Sequence, residues 1–317
     1  MKHSGMIRRE LNGKTFYYWE IFENYRDRLR AVLTTRAVGR DFSSAASRAC
    51  AAEALELKEN AWELCRQVHG SRIADAAGCN KLIWHSNCDG VELGMSGVIA
   101  AVQLADCHPV IVYDPAHHRG VVAHAGWRGT AAGIAEKAVW KLRSSGSRAE
   151  DLVAAAGPGI GPCCYNVGKE VKQTFMQHFP YSAKVFRKPL LLDIAQANKE
   201  RLMHAGVSEK RIGTGYLCTS CHPDEFYSYR LERRRLRSAV VICDGAASGA
   251  ATRPQAQRRG LRGKCRGRRG KCLRGGHMAQ IHRRRLRSGA VICDAVIICS
   301  GAALGASAAD FGAVQPS

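Results

Sequence analysis

The stretch His124-Ala-Gly-Trp-Arg-Gly129 stands where one structural period gives way to another. Val121-Val122-Ala123 before it reads as a buried strand. Thr130 to Leu142 after it reads as a helix, with Ala131, Ile134, Ala135, Ala138, Val139 and Leu142 on one face. A His therefore ends a strand, and an Arg and a Gly open a helix. Strand ends hold side chains rigidly, and the free N–H groups of a helix start attract anions.

Working outward, further strands are expected at Thr15–Trp19, Arg30–Arg36, Gly97–Leu104, Pro109–Tyr113, Leu152–Ala156, Arg211–Leu217 and Val240–Cys243. Helices are expected at Ser43–Arg66, stopped by Gln67-Val-His-Gly70, and at Val167–Phe179 and Asp193–His204. Strand and helix signals alternate without a repeated βαβ period. The fold class is therefore α/β, with mixed β-sheets stacked in layers.

With 317 residues and 46% hydrophobic composition, the chain can bury a large core. No apolar run approaches the roughly 18 residues of a membrane helix. The N-terminus lacks the apolar stretch of a signal peptide, so a cytoplasmic location and no membrane partner are expected. The fourteen cysteines then read as reduced thiols or metal ligands rather than disulfides.

The net charge of +21 is unevenly distributed. Residues 246–317 hold twelve Arg and two Lys against two Asp, a net of +12, and the other 245 residues carry +9. This divides the chain into a folded domain, 1–245, and a basic low-complexity tail, 246–317, rich in Arg, Gly and Ala and expected to be disordered. Within the tail, Arg283-Arg-Arg-Leu-Arg-Ser288 and Val291-Ile-Cys-Asp294 repeat Arg233–Ser238 and Val241–Asp244 at an offset of fifty. One such copy reads as a partial duplication or a shifted reading frame, not a solenoid. A nucleic-acid-binding Arg/Gly arm is the functional alternative, and nucleic acid is expected as a partner only through this tail.

His69, Cys107 and His124 suit a single metal. One Cys with two His matches catalytic zinc, where three protein ligands leave a fourth position open. Asp106 beside Cys107, Arg128 four residues past His124, and Gly126 and Gly129 around the helix start supply parts of an anion site. Arg36 offers a second cation for phosphate or carboxylate. Among twelve His and fourteen Cys, however, many trios could be drawn. Cys218-Thr-Ser-Cys-His222 has the c-type haem spacing, but haem attachment requires export. As half of a zinc site, Cys218 and Cys221 need two more ligands, and none is convincingly spaced. Cys163 and Cys164, among Gly-Pro turns, read as small core residues.

Taken together, Gln67-Val-His-Gly70, Ala105-Asp-Cys107 with Pro109, His124–Gly129, Gly157-Pro-Gly-Ile-Gly-Pro-Cys-Cys-Tyr165 and Phe226-Tyr-Ser-Tyr-Arg230 resemble the YfiH family from about Thr34 to Cys243. Its members have been called multicopper polyphenol oxidases or laccases, and later purine nucleoside phosphorylases. The resemblance implies a four-layer α/β/β/α sandwich shared with the cytotoxic necrotizing factor deamidase toxins. It implies His69, Cys107 and His124 as metal ligands and catalytic residues, with Zn2+, or alternatively Cu2+, as the cofactor. It also implies phosphorolysis of adenosine, inosine and S-methyl-5'-thioadenosine, so that purine nucleosides and phosphate are the partners, and it implies deamination of adenosine. Zinc suits deamination, since it lowers the pKa of water that it binds toward about 7. Phosphorolysis instead needs cations to hold phosphate in line with the anomeric carbon, and Arg36 and Arg128 are the candidates. The chain departs from the family at Ala37-Val-Gly-Arg40, where a Gly-Gly pair and a Ser usually follow Thr-Thr-Arg, and beyond Cys243.

Two other enzymatic readings stand beside this one. Copper-dependent phenol oxidation, as a side activity, needs one-electron chemistry that zinc cannot supply. A Cys-dependent amidase acting on peptidoglycan precursors would use Cys107 as nucleophile and His124 as its base. A metal ligand cannot also be a free nucleophile, so metal content separates the two. A monomer is the favoured oligomeric state.

Overall fold

The computed structural model describes residues 5–57, 61–78, 82–94, 98–179, 182–233 and 237–244. The tail 246–317, with its repeat and its proposed Arg/Gly arm, lies outside them. In chain order the strands are β1 Met6–Leu11, β2 Lys14–Trp19, β3 Leu29–Thr34, β4 Ala61–Cys65, β5 Ile73–Asp75, β6 Ile83–His85, β7 Gly90–Leu93, β8 Val98–Leu104, β9 His108–Asp114, β10 Arg119–Ala125, β11 Val153–Ala156, β12 Phe186–Lys188, β13 Leu191–Leu192, β14 Ile212–Thr214 and β15 Ser238–Asp244. The α-helices are α1 Ala45–Ala54, α2 Trp127–Ala131, α3 Ile134–Ser144, α4 Lys169–His178, α5 Ser182–Val185, α6 Ile194–His204 and α7 Tyr229–Glu232.

Two mixed sheets form the centre. One runs β1-β2-β3-β15-β8-β4-β6 and the other β14-β11-β9-β10-β7-β5. Side chains alternate along each strand, so every central strand feeds two layers. In β9, Ile111 and Tyr113 face the other sheet, while Val110 and Val112 face α3 and α6. In β8, Val98, Ala100 and Val102 face between the sheets, while Ile99 and Ala101 meet α1. The layers are therefore α1, sheet, sheet, and α3 with α6, which is the α/β/β/α order. Burial on both faces explains why β8, β9 and β10 read as continuous apolar runs rather than alternating ones.

Two expected elements differ. Ser43–Arg66 is not one helix: α1 ends at Ala54, and Ala61–Cys65 is a strand with all five residues buried. Parallel pairing of β4 with both β6 and β8 overrides its weak helical period. Its Glu63 is buried and satisfied by the Ala77 and Gly78 N–H groups and His85 Nε2. The helix after His124 is also broken. α2 stops at Ala131, and Gly133, left-handed at φ 78°, redirects the chain into α3.

Candidate metal centre

β4, β6 and β8 lie parallel in one sheet, so their C-terminal ends share an edge. From each of those ends the chain crosses to the other sheet, into β5, β7 and β9. His69 lies on the first crossing, Asp89 ends the second and Cys107 ends the third. β10 runs antiparallel to β9 and pairs His124 with Pro109, beside the third crossing. His124 shares a strand face with Val122, which packs between the sheets. Residues far apart in sequence thus meet where the two sheets join.

The ligand atoms of His69, Cys107 and His124 lie within 4.8 Å of one another. The two imidazoles are edge to face, with centroids 4.8 Å apart. His124 Nδ1 lies 2.9 Å from Asp89 Oδ1, which fixes the tautomer and leaves Nε2 for a metal. The same buried carboxylate accepts from the N–H groups of His69, at 2.9 Å, Gly70, at 2.8 Å, and Val68, at 3.2 Å. Those bonds hold His69 in the left-handed region at φ 60°. Gln67 braces the same loop, accepting from Gln103 N–H and donating to the Gln103 carbonyl, both at 2.9 Å. Asp106, at φ 77°, accepts from Thr219 Oγ1 and the Arg230 N–H, each at 2.7 Å. Its carboxylate therefore anchors two later segments rather than serving as part of an anion site.

Close approach sets the two glycines. A Cβ on Gly126 would stand 3.1 Å from both Cys107 Sγ and His69 Cδ2, and one on Gly129 would stand 2.6 Å from the Gly70 carbonyl oxygen. The second contact brings α2 onto the loop that carries His69.

Burial opposes charge on Cys107, but the neighbouring His124 and His69 outweigh it and hold the thiol at about 6. Burial likewise opposes charge on His124. The Cys107 thiolate and the Asp89 carboxylate outweigh it and push the imidazole up to about 9. The donor set fits a metal on its own chemistry: a thiolate and two imidazoles, one with its second nitrogen already committed, suit zinc and also copper.

A cavity of about 620 Å³ opens over the trio. Arg128, Arg230, Arg233 and Arg237 line it, together with Trp127, Tyr165 and Tyr229. Arg128 lies over the Trp127 ring at 4.3 Å, and Arg230 lies 5.4 Å from the Tyr165 centroid. Trp127 also packs against the apolar cluster around α4, so it spans core and cavity. Arg36 is placed differently. It is paired with Glu232, donates to the Phe226 carbonyl at 2.9 Å and stacks on Tyr227, away from the cavity lining.

Sequence reasoning missed Asp89. The general habit of metal-bound histidines, which hand their other nitrogen to a carboxylate, asks for such a residue but cannot choose it among 27 acidic positions. It also misread Cys163 and Cys164. Cys163 is exposed and Cys164 half-buried rather than core residues, and both lie beside Cys218 and Cys221.

Comparison with known proteins agrees with this architecture. A family model described as multi-copper polyphenol oxidoreductase laccase matches residues 39–243. Purine nucleoside phosphorylase YlmD of Geobacillus stearothermophilus is 34% identical over 195 residues, covering 57% of this chain and 71% of that protein. Purine nucleoside phosphorylase YfiH of Escherichia coli is 33% identical over 179 residues, covering 56% and 71%. The crystal structure of YlmD from Geobacillus stearothermophilus superposes with a TM-score of 0.66 at 27% identity, covering 75% of this chain and 99% of that one. Since the matched region holds both sheets' crossings and the trio between them, the chain belongs to the YfiH family, whose model is described as multi-copper polyphenol oxidoreductase laccase.

Proposed function

We propose that the protein is a zinc-dependent purine nucleoside phosphorylase, taking adenosine, inosine and S-methyl-5'-thioadenosine with phosphate, and that it also deaminates adenosine. The observation that carries this reading is the His69–Cys107–His124 trio beneath a cavity lined by arginines and aromatic rings. The names of the relatives supply the substrate class. Zinc held by these three donors would supply Lewis-acid chemistry at an open coordination position.

The chain's own residues have separate tasks. Arg128, with Arg230 beside it, offers cationic donors for phosphate, and Trp127, Tyr165 and Tyr229 offer faces for a purine. In phosphorolysis a phosphate oxygen bonds to the anomeric carbon as the glycosidic bond breaks, and the purine keeps the electron pair and takes a proton. The arginines serve by holding the nucleophile in line, which is positioning rather than proton transfer. Arg36, committed to Glu232 and Tyr227, is left with a bracing role in this reading.

The test is metal analysis of the purified full-length protein alongside an adenosine-plus-phosphate assay. Stoichiometric zinc with ribose 1-phosphate formation is expected; neither appearing would overturn the reading. Arg128→Ala should raise the phosphate KM about tenfold, close to 1.4 kcal/mol, and an unchanged value removes Arg128 from phosphate binding.

One observation favours a second reading. The Cys107 thiol held at about 6 beside an imidazole at about 9 forms a thiolate–imidazolium pair, as a cysteine amidase needs. Turnover of an amide substrate by metal-stripped protein, abolished by alkylation of Cys107, would favour that reading. If copper rather than zinc fills the trio, phenol oxidation becomes the side activity to assay.

A further inference from the structure

Away from the trio, the turn after β11 and the segment after β14 bring four cysteines together. The Sγ atoms of Cys163, Cys164, Cys218 and Cys221 all lie within 4.8 Å of one another. Cys164 and Cys221 are 3.4 Å apart, and Cys163 and Cys221 are 3.6 Å apart. Four sulfurs placed tetrahedrally at a Zn–S distance of about 2.3 Å would be roughly 3.8 Å from each other. A disulfide would instead need about 2.0 Å. All four are free thiols. We propose that Cys163, Cys164, Cys218 and Cys221 form a closed tetrathiolate zinc site, separate from the His69–Cys107–His124 centre.

The backbone is arranged for such a site. Gly161 N–H donates to Cys218 Sγ at 3.2 Å, the kind of bond that stabilises thiolate charge. A Cβ on Gly161 would stand 3.2 Å from Cys163 Sγ and from Cys218 Cβ, so glycine lets the two segments close. Thr219 N–H donates to the Gly159 carbonyl at 3.0 Å, and Gly159 and Cys218 form an isolated bridge. His222 Nδ1 donates to the Cys218 carbonyl at 2.9 Å, and the potential ligand group is the four sulfurs without its ring. Zinc would form four Zn–S bonds there and release the displaced thiol protons to solvent.

Four protein ligands leave no open position, so the role is structural. The clamped segments matter to the cavity. Ile160 and Tyr165, on either side of the Cys163-Cys164 pair, line it, and Thr219 holds Asp106 beside Cys107. The second ion would fasten one wall of the cavity without touching the substrate.

The test counts zinc in the full-length protein purified under reducing conditions. Wild type should hold one equivalent more than the Cys164→Ser/Cys221→Ser variant. His69→Ala should lose the other equivalent and keep this one. X-ray absorption of wild type and of His69→Ala provides a measurement that does not depend on the double variant folding. It should give an all-sulfur zinc shell at about 2.3 Å in His69→Ala and a mixed nitrogen–sulfur average in wild type. Equal zinc content in wild type and the double variant overturns the proposal. So does a His69→Ala protein without zinc, or a disulfide among the four cysteines in reduced protein.

Discussion

Asp89 accepts from His124 Nδ1 and from three consecutive N–H groups around His69, so one carboxylate orients one ring and fixes the loop that carries the other. Asp89→Asn keeps the shape but removes the charge, and zinc affinity at the trio should fall about 10–100-fold, read by competition with a chromophoric chelator. Asp89→Ala also orphans the backbone donors and should destabilise folding by about 1–3 kcal/mol, read by denaturant unfolding. Unchanged zinc affinity in Asp89→Asn would mean that His124 is oriented without it. Cys107 offers a second measurement. Its folded-state value is lowered to about 6, so the thiolate predominates above that pH and is lost as pH falls through it. In metal-free protein, site-resolved alkylation should therefore show Cys107 modified at a rate that levels off above about pH 6, whereas an ordinary thiol keeps accelerating to about 8.5. Added zinc should protect Cys107 at every pH above 6. A Cys107 rate still climbing at pH 8 in the metal-free protein would rule out the thiolate–imidazolium pair.

α2 touches the loop that carries His69 through Gly129, and here two effects compete. A helix favours Ala over Gly by about 1 kcal/mol. The added Cβ would stand 2.6 Å from the Gly70 carbonyl oxygen, so α2 or the His69 loop must retreat. The clash should win: Gly129→Ala is expected to lower stability by about 1–3 kcal/mol and to weaken zinc binding. A variant more stable than wild type with the same zinc affinity would show that the loop yields freely. The same contact shows what was legible in the sequence. β8, β9 and β10 could be read because burial on two faces leaves unbroken apolar runs, and His124 could be placed because a strand and a helix meet there. β4 could not, because Ala61-Trp-Glu-Leu-Cys65 hides its buried Glu63 in a pattern that also fits a helix. The trio is legible through the five motifs together. Asp89, the commitment of Arg36 to Glu232, and the meeting of Cys163-Cys164 with Cys218 and Cys221 are products of folding, and no local spacing encodes them.

Across the whole molecule, the candidate metal centre depends on the three crossings between the sheets, and the first sheet depends on its last strand. β15 enters between β3 and β8, pairing Val240 with Leu33 on one side and Val102 on the other. Within the sheet's hydrogen-bonded ladder, the N-terminal hairpin of β1 and β2, with β3, therefore reaches β8 and β4 through a strand at the end of the described chain. Removing it would leave two long unpaired edges in the middle of a sheet. Losing both of its ladders would be large against a net stability of about 5–15 kcal/mol. The boundary proposed at 245 falls just after this strand, and the excess positive charge lies beyond it. Two truncations separate these contributions. Residues 1–245 should remain soluble, melt cooperatively and keep the zinc bound at His69, Cys107 and His124. Residues 1–237 should aggregate or lack a cooperative melt. If 1–245 fails as 1–237 does, the tail belongs to the fold rather than being appended to it. If 1–237 melts as 1–245 does, β15 is dispensable, and the first sheet closes without it.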